Sequence, residues 1–243
     1  APSVETIGFV NSALYMADMA LEAVEEVYEP TITPAALLNN ALDEDSLHQL
    51  LAVLDVFQWM QPQLLLLCAA LAEARENTSV GGQGHPEPRH TVEREHEHLM
   101  AKVQFASSNI GALPAITELL QLSKPSELYR AVGFWPAYLE VAWEEIQHLA
   151  AYPLFRQRGR GLYYYARSSS RFLAQPLYAD DAALRKAGIT DNAIAQTDSL
   201  IDAALPTLAT MMMHCSAMRL GLGVHKREVV TQSAINANQE PHK

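Results

Sequence analysis

Apolar residues recur at three- and four-residue steps along two long stretches of the chain, and each stretch reads as one long helix. In the first, Leu47, Leu50, Leu51, Leu54 and Phe57 share a face, with Asp45 or Ser46 placed as N-cap; the spacing predicts a helix from about Ser46 to Glu76. Pro62 falls inside it and removes one backbone donor, which predicts a kink or a restart. The second pattern begins after Thr190 and Asp191 and continues through Ile194, Leu200, Ile201, Leu208, Met211 and Met212 toward Gly221. Upstream of each lies another helical stretch, about Val4 to Tyr28 and about Leu154 to Ala174.

The two long patterns align. An offset of 147 residues carries Asp55 onto Asp202, Gln49 onto Gln196, Cys68 onto Cys215, and Ala35-Ala36-Leu37 onto Ala182-Ala183-Leu184. An internal duplication is the simplest cause. It predicts an all-α protein, a pseudo-twofold pair of helical repeats packed into one globular unit. The expected divisions are a first repeat over 1–76, shortened at its N-terminus, a linker over 77–90, a second repeat over 91–224 and a polar tail over 225–243. The linker reads NTSVGGQGHPEPRH, a Gly, Pro and polar cluster that neither buries itself nor holds a helix. The second repeat carries extra predicted helices near Thr91–Ala106, Ala115–Leu122, Ser126–Gly133 and Ala137–Ala150.

Composition agrees with helix: 49% of residues are hydrophobic, and there are only 11 glycines in 243 residues. The formal charge is -11, which repels polyphosphate and anionic membrane surfaces alike, so neither nucleic acid nor membrane is expected as a partner. Cys68 and Cys215 each lie within an apolar helical run, the setting of a buried thiol, which points to a reducing, cytoplasmic compartment. No apolar run reaches the ~18 residues of a membrane span. The expected partner is a small molecule; a homodimer is left open.

Two copies packed together make a cleft, and chemistry there requires unlike walls. Gln58 and Gln61 lie on a stripe with Leu54, Leu65 and Cys68, where the second copy has Leu205 and Leu208. A buried amide costs about 1–3 kcal/mol unless its hydrogen bonds are met, so each is either a satisfied core glutamine or a group facing a ligand. His214 replaces Leu67 and sits among Leu200, Ala203, Thr207 and Met211, where shielding disfavours its cation; a buried structural histidine competes with a site residue. Asp55 and Asp202 occur in both copies, which argues for a shared structural bond. Glu-x-x-His occurs at Glu93–His96, Glu95–His98 and Glu145–His148, the spacing di-iron bundles use. The first two lie in a charge-rich stretch that also reads as a solvated face, as does Glu144-Glu145. No metal or other cofactor is assigned.

The run from Pro125 to Trp143 (PSELYRAVGFWPAYLEVAW), Phe57 to Pro62 before Leu64–Leu67, Gly84-His85-Pro86 and Met213-His214-Cys215 together resemble the DehI family of group I 2-haloacid dehalogenases. The resemblance implies an all-α pseudo-dimer with its active site between the repeats. It also implies a reaction in which an aspartate activates water to attack the halogen-bearing carbon directly, while an asparagine before a proline helps hold that water. Gln61, followed by Pro62, falls at the asparagine position. Leu128 falls at the aspartate, within Glu127-Leu128-Tyr129, and leucine cannot deprotonate water. The resulting expectation is a DehI-like enzyme running a hydrolytic reaction on a small, partly apolar substrate, with 2-haloacid dehalogenation itself in doubt. Gln61, Glu127 and His214 are the candidate catalytic residues; Gln58, Tyr129, Trp135 and Tyr164 are the candidate binding residues. The alternatives are a non-catalytic ligand-binding or oligomerising helical protein, and a metal-dependent oxidase using the Glu-x-x-His pairs.

Overall fold

The computed structural model describes residues 6–40, 42–76, 80–84, 87 and 100–225, and these contain nine α-helices. They are α1 (Ile7–Glu25), α2 (Pro34–Asn40), α3 (Glu44–Arg75), α4 (Leu113–Leu119), α5 (Glu127–Val132), α6 (Pro136–Ala151), α7 (Pro153–Ser169), α8 (Asp181–Lys186) and α9 (Asp191–Gly221), with a 3₁₀ turn over Ser170–Phe172. An offset of 147 takes α1, α2 and α3 to 154–172, 181–187 and 191–222, against the observed 153–169, 181–186 and 191–221.

Caps explain where these helices start. Asp43 Oδ1 accepts from Ser46 N at 2.7 Å, so α3 begins two residues before its predicted start, at Glu44. Thr190 Oγ1 accepts from Ala193 N at the head of α9, and Thr6 Oγ1 from Phe9 N at the head of α1. Pro62 does not divide α3, which runs unbroken through it for 32 residues. Apolar packing holds this segment: Leu65 and Leu66 just beyond it are 0% and 1% exposed, each contributing about 1.5–3 kcal/mol by burial. α9 tolerates Pro206 in the same way.

α3 and α9 form the centre, with α1 and α7 packed against both. α3 is long and apolar enough to cross a membrane by length and composition, but half of that apolar window is buried among its neighbours. Leu50, Leu54, Leu65, Met213 and Cys215 are all 0% exposed. Cys215 donates its thiol to Leu54 O at 3.4 Å, and burial pushes it up to about 12; Cys68 is only partly buried.

Short segments lock the periphery. Glu145 of α6 accepts from Thr31 N and Ile32 N at 3.0 Å and from the hydroxyls of Tyr28 and Thr31, tying the α1–α2 connection to α6. Arg75 at the end of α3 reaches Asp198 on α9 at 2.6 Å and Asp181 on α8 at 2.5 Å. Part of the expected linker is also held: Val80 is 3% exposed, Gly82 N donates to Leu173 O at 2.7 Å and Leu177 N to Val80 O at 2.9 Å. Gly81 adopts φ +78°, and a Cβ there would stand 2.2 Å from Gln175 O; the turn admits only glycine.

The helix expected over 91–106 does not continue past Met100 among described residues: 101–106 is turn and irregular chain, paired through Ala106 N to Arg130 O at 2.8 Å. The pairs Glu93–His96 and Glu95–His98, the His85-Pro86 part of the linker motif and the tail beyond His225 lie outside the described residues.

Candidate functional site

The main cavity is about 920 Å³ and open to solvent. Its walls are the end of α4 (Leu119 to Gln121), the C-terminal turn of α6, one face of α7 and the middle of α9. Every lining residue lies at position 119 or beyond. The space therefore does not lie in a cleft between the two halves of the chain: the α3–α9 contact is filled by side chains such as Leu54, Leu65 and Cys215, each 0% exposed.

The floor is apolar. Phe155, Leu205, Ala209, Met213 and His214 belong to the lining and are all buried, whereas Arg156, Arg160, Tyr164 and Asp202 form an exposed rim. Gly159 belongs to the lining too; a Cβ there would meet Met213 Cγ at an ordinary 3.7 Å, so the missing side chain leaves usable space.

His214 is the polar group of the floor. Its ring stacks on Phe155 (centroids 5.8 Å apart) and its Nδ1 lies 2.6 Å from the Tyr129 hydroxyl. Burial holds the phenol of Tyr129 well above its ordinary value, so it keeps its proton. The hydroxyl and Nδ1 share one hydrogen bond, and Nε2 is buried without a partner. Desolvation lowers the imidazole to about 3, so it is neutral at pH 7. It can donate a hydrogen bond but is too weak a base to take a proton from water at neutral pH.

The other candidates separate. Gln58 is a bridge: its Nε2 donates to Ala17 O on α1 at 2.9 Å, and its Oε1 accepts from Ser216 Oγ on α9 at 3.3 Å. Gln61 is 4% exposed with Oε1 unpaired, and it is absent from the cavity lining. Leu128 is 1% exposed, next to Tyr129. Glu127 is solvent-exposed in the first turn of α5 and outside the cavity. Trp135 lines a separate recess of about 170 Å³ with Val53, Lys102 and Phe134. Tyr164 stands at the rim of the main cavity, 65% exposed. Thus of the residues singled out from sequence, His214 and Tyr164 line the main cavity, with Tyr129 behind His214.

Sequence reasoning gave Asp202 a structural role shared with Asp55 and passed over Arg156 and Arg160. Asp55 pairs with Arg219 at 2.7 Å; Asp202, the same residue in the alignment, lines the cavity and has no partner among the described residues. The two aspartates do not share a structural bond. The signal was available at the same offset, which carries Ala72 onto Arg219: the second aspartate has no matching cation. Glu145, spent on Tyr28, Thr31 and Ile32, is not free to act with His148. Among the described residues no three His, Cys, Asp or Glu side chains come together as a metal site would require.

No family model matches this chain, and no curated protein is similar to it in sequence. In structure it is similar to D-2-haloacid dehalogenases. A crystal structure of a mutant of such an enzyme matches with a TM-score of 0.74 at 20% identity, covering 90% of this chain and 78% of that one. The complex of a D-2-haloacid dehalogenase with L-LA gives the same values, and that of a mutant with D-2-CPA gives 0.74 at 21% identity over the same shares. At such identity the likeness establishes the fold.

Proposed function

We propose that this protein is a divergent, DehI-like hydrolase, built from two diverged copies of one helical triplet, whose working site is the cavity beside α7 and α9. The observation that carries the reading is the cavity itself: an apolar floor, a neutral imidazole with an unpaired nitrogen, and a carboxylate released from the ion pair its counterpart makes. Asp202 is the acid available to act as base. Its carboxylate takes a proton from water as the water oxygen bonds to an electrophilic substrate carbon. The bond from that carbon to the leaving group breaks, the electron pair departs with the leaving group, and the proton passes from Asp202 to solvent. With leucine at 128, the family's own base is missing, so a rate like that of the haloacid dehalogenases is not expected.

The test is release of halide from 2-chloropropionate and 2-bromodecanoate and of 4-nitrophenol from 4-nitrophenyl octanoate. Turnover of at least one probe is expected. It should fall at least about 100-fold in Asp202→Asn, the usual scale for losing a general base, and persist in Glu127→Gln. No turnover of any probe, or an unchanged rate in Asp202→Asn, overturns the reading.

A further inference from the structure

We infer that the cavity takes an amphipathic carboxylate, an acid head carried on an apolar body longer than a two- or three-carbon chain, held by Arg156 and Arg160. The inference rests on this cavity being the working site and names what occupies it.

The argument begins with unspent charge. The chain has 28 acidic residues against 17 basic ones, and most described arginines are held by a carboxylate or, for Arg130 and Arg171, lie over an aromatic ring. Arg75, Arg158, Arg167, Arg185 and Arg219 each pair with a carboxylate. Arg156 and Arg160 have no ion-pair partner among the described residues, and both line the cavity. They stand four apart on α7, hence on one face, while Arg158 between them points elsewhere and pairs with Glu26. Two guanidinium groups side by side without an acid suit one carboxylate, which they can grip through paired N–H donors.

Size and lining set the rest of the ligand. A cavity of about 920 Å³ is at the upper end of the range of roughly 300–1,000 Å³ for drug-sized ligands, far more than a two- or three-carbon acid fills. From the arginines the wall passes to Phe155, Leu205, Ala209 and Met213, all 3% exposed or less, a surface that gains from burying methylenes at about 0.8 kcal/mol each. Asp202 is the sole acid in the lining and stands on α9 rather than α7.

Calorimetric titration with decanoate below its micellar concentration tests this, in wild type, Arg156→Gln/Arg160→Gln, Arg158→Gln and Gly159→Leu. Decanoate is expected to bind wild type and Arg158→Gln equally, at least tenfold more weakly to the double arginine variant, and at least tenfold more weakly to Gly159→Leu, which keeps both charges but fills the space. Propionate should bind wild type at least tenfold more weakly than decanoate, and decanol should show no dependence on the two arginines. No decanoate binding, binding unchanged in the double variant, or propionate as tight as decanoate overturns the inference. Circular dichroism and melting temperature confirm that each variant is folded before titration. Decanoate binding without turnover of any hydrolysis probe leaves the inference standing and removes the hydrolase reading; Asp202-dependent turnover of the ester without arginine-dependent decanoate binding does the reverse.

Discussion

His214 is buried because Phe155 covers one face of its ring and Tyr129 fixes its Nδ1. Burial lowers its imidazole to about 3 in the folded chain, against the ordinary value of about 6.5 when unfolded. Between those values the unfolded chain binds the extra proton, so stability is retained above about pH 6.5 and lost as pH falls toward 3, by up to about 1.4 kcal/mol per pH unit. Urea unfolding of wild type and His214→Gln at pH 7.5 and 4.5 should show wild type losing more stability on acidification than the variant; equal losses refute the assignment. Gln61 makes a contrasting case: its buried Oε1 has no partner, so Gln61→Leu should hold or raise stability by about 1 kcal/mol, read as a shift in urea midpoint. Both residues were legible from sequence as polar groups on apolar stripes. Asp202 was not, because its identity with Asp55 suggested an identical role; what distinguishes them is the cation opposite, a matter of tertiary contact.

Helices were the most legible elements, since their periodicity and cap residues are local. The errors are local too: Asp43, two residues ahead of the expected cap, captures Ser46 N, and the proline in α3 is overridden by long-range packing. The connections could not be read in this way. Glu145 looked like half of a metal pair or a wet residue, yet it satisfies two backbone donors and two hydroxyls from the α1–α2 connection. Glu145→Ala leaves those groups without their acceptor, and a loss of about 2–3 kcal/mol is expected in chemical unfolding. In the glycine turn, Gly81→Ala combines a positive φ with a backbone clash and should cost about 2 kcal/mol or more. An effect under 0.5 kcal/mol would show that the turn adjusts freely.

For the molecule as a whole, the all-α class was visible in the chain, and the fold matches that of haloacid dehalogenases. The location of the cavity was not visible. Symmetry suggested the seam between halves, but side chains fill the seam, and the open volume arises where α4, α6 and α7 stand away from α9. Asp55 and Asp202 permit a direct comparison. Asp55→Asn breaks an ion pair in which Arg219 is only 13% exposed and should lower stability by about 1 kcal/mol, whereas Asp202→Asn should leave the melting temperature within about a degree. If Asp202→Asn proved the more destabilising, the carboxylate would have a structural partner after all.

That single arginine has a wider consequence. On the duplication reading, both halves hold the acid, and the cation that would confine it was either gained once or lost once. A reactive group can thus be obtained by subtraction, with the aspartate itself untouched and the neighbouring helix simply ceasing to hold it. Paralogous sites of this kind are invisible to any comparison that looks for new residues; they are found by asking which old residue has been left without company.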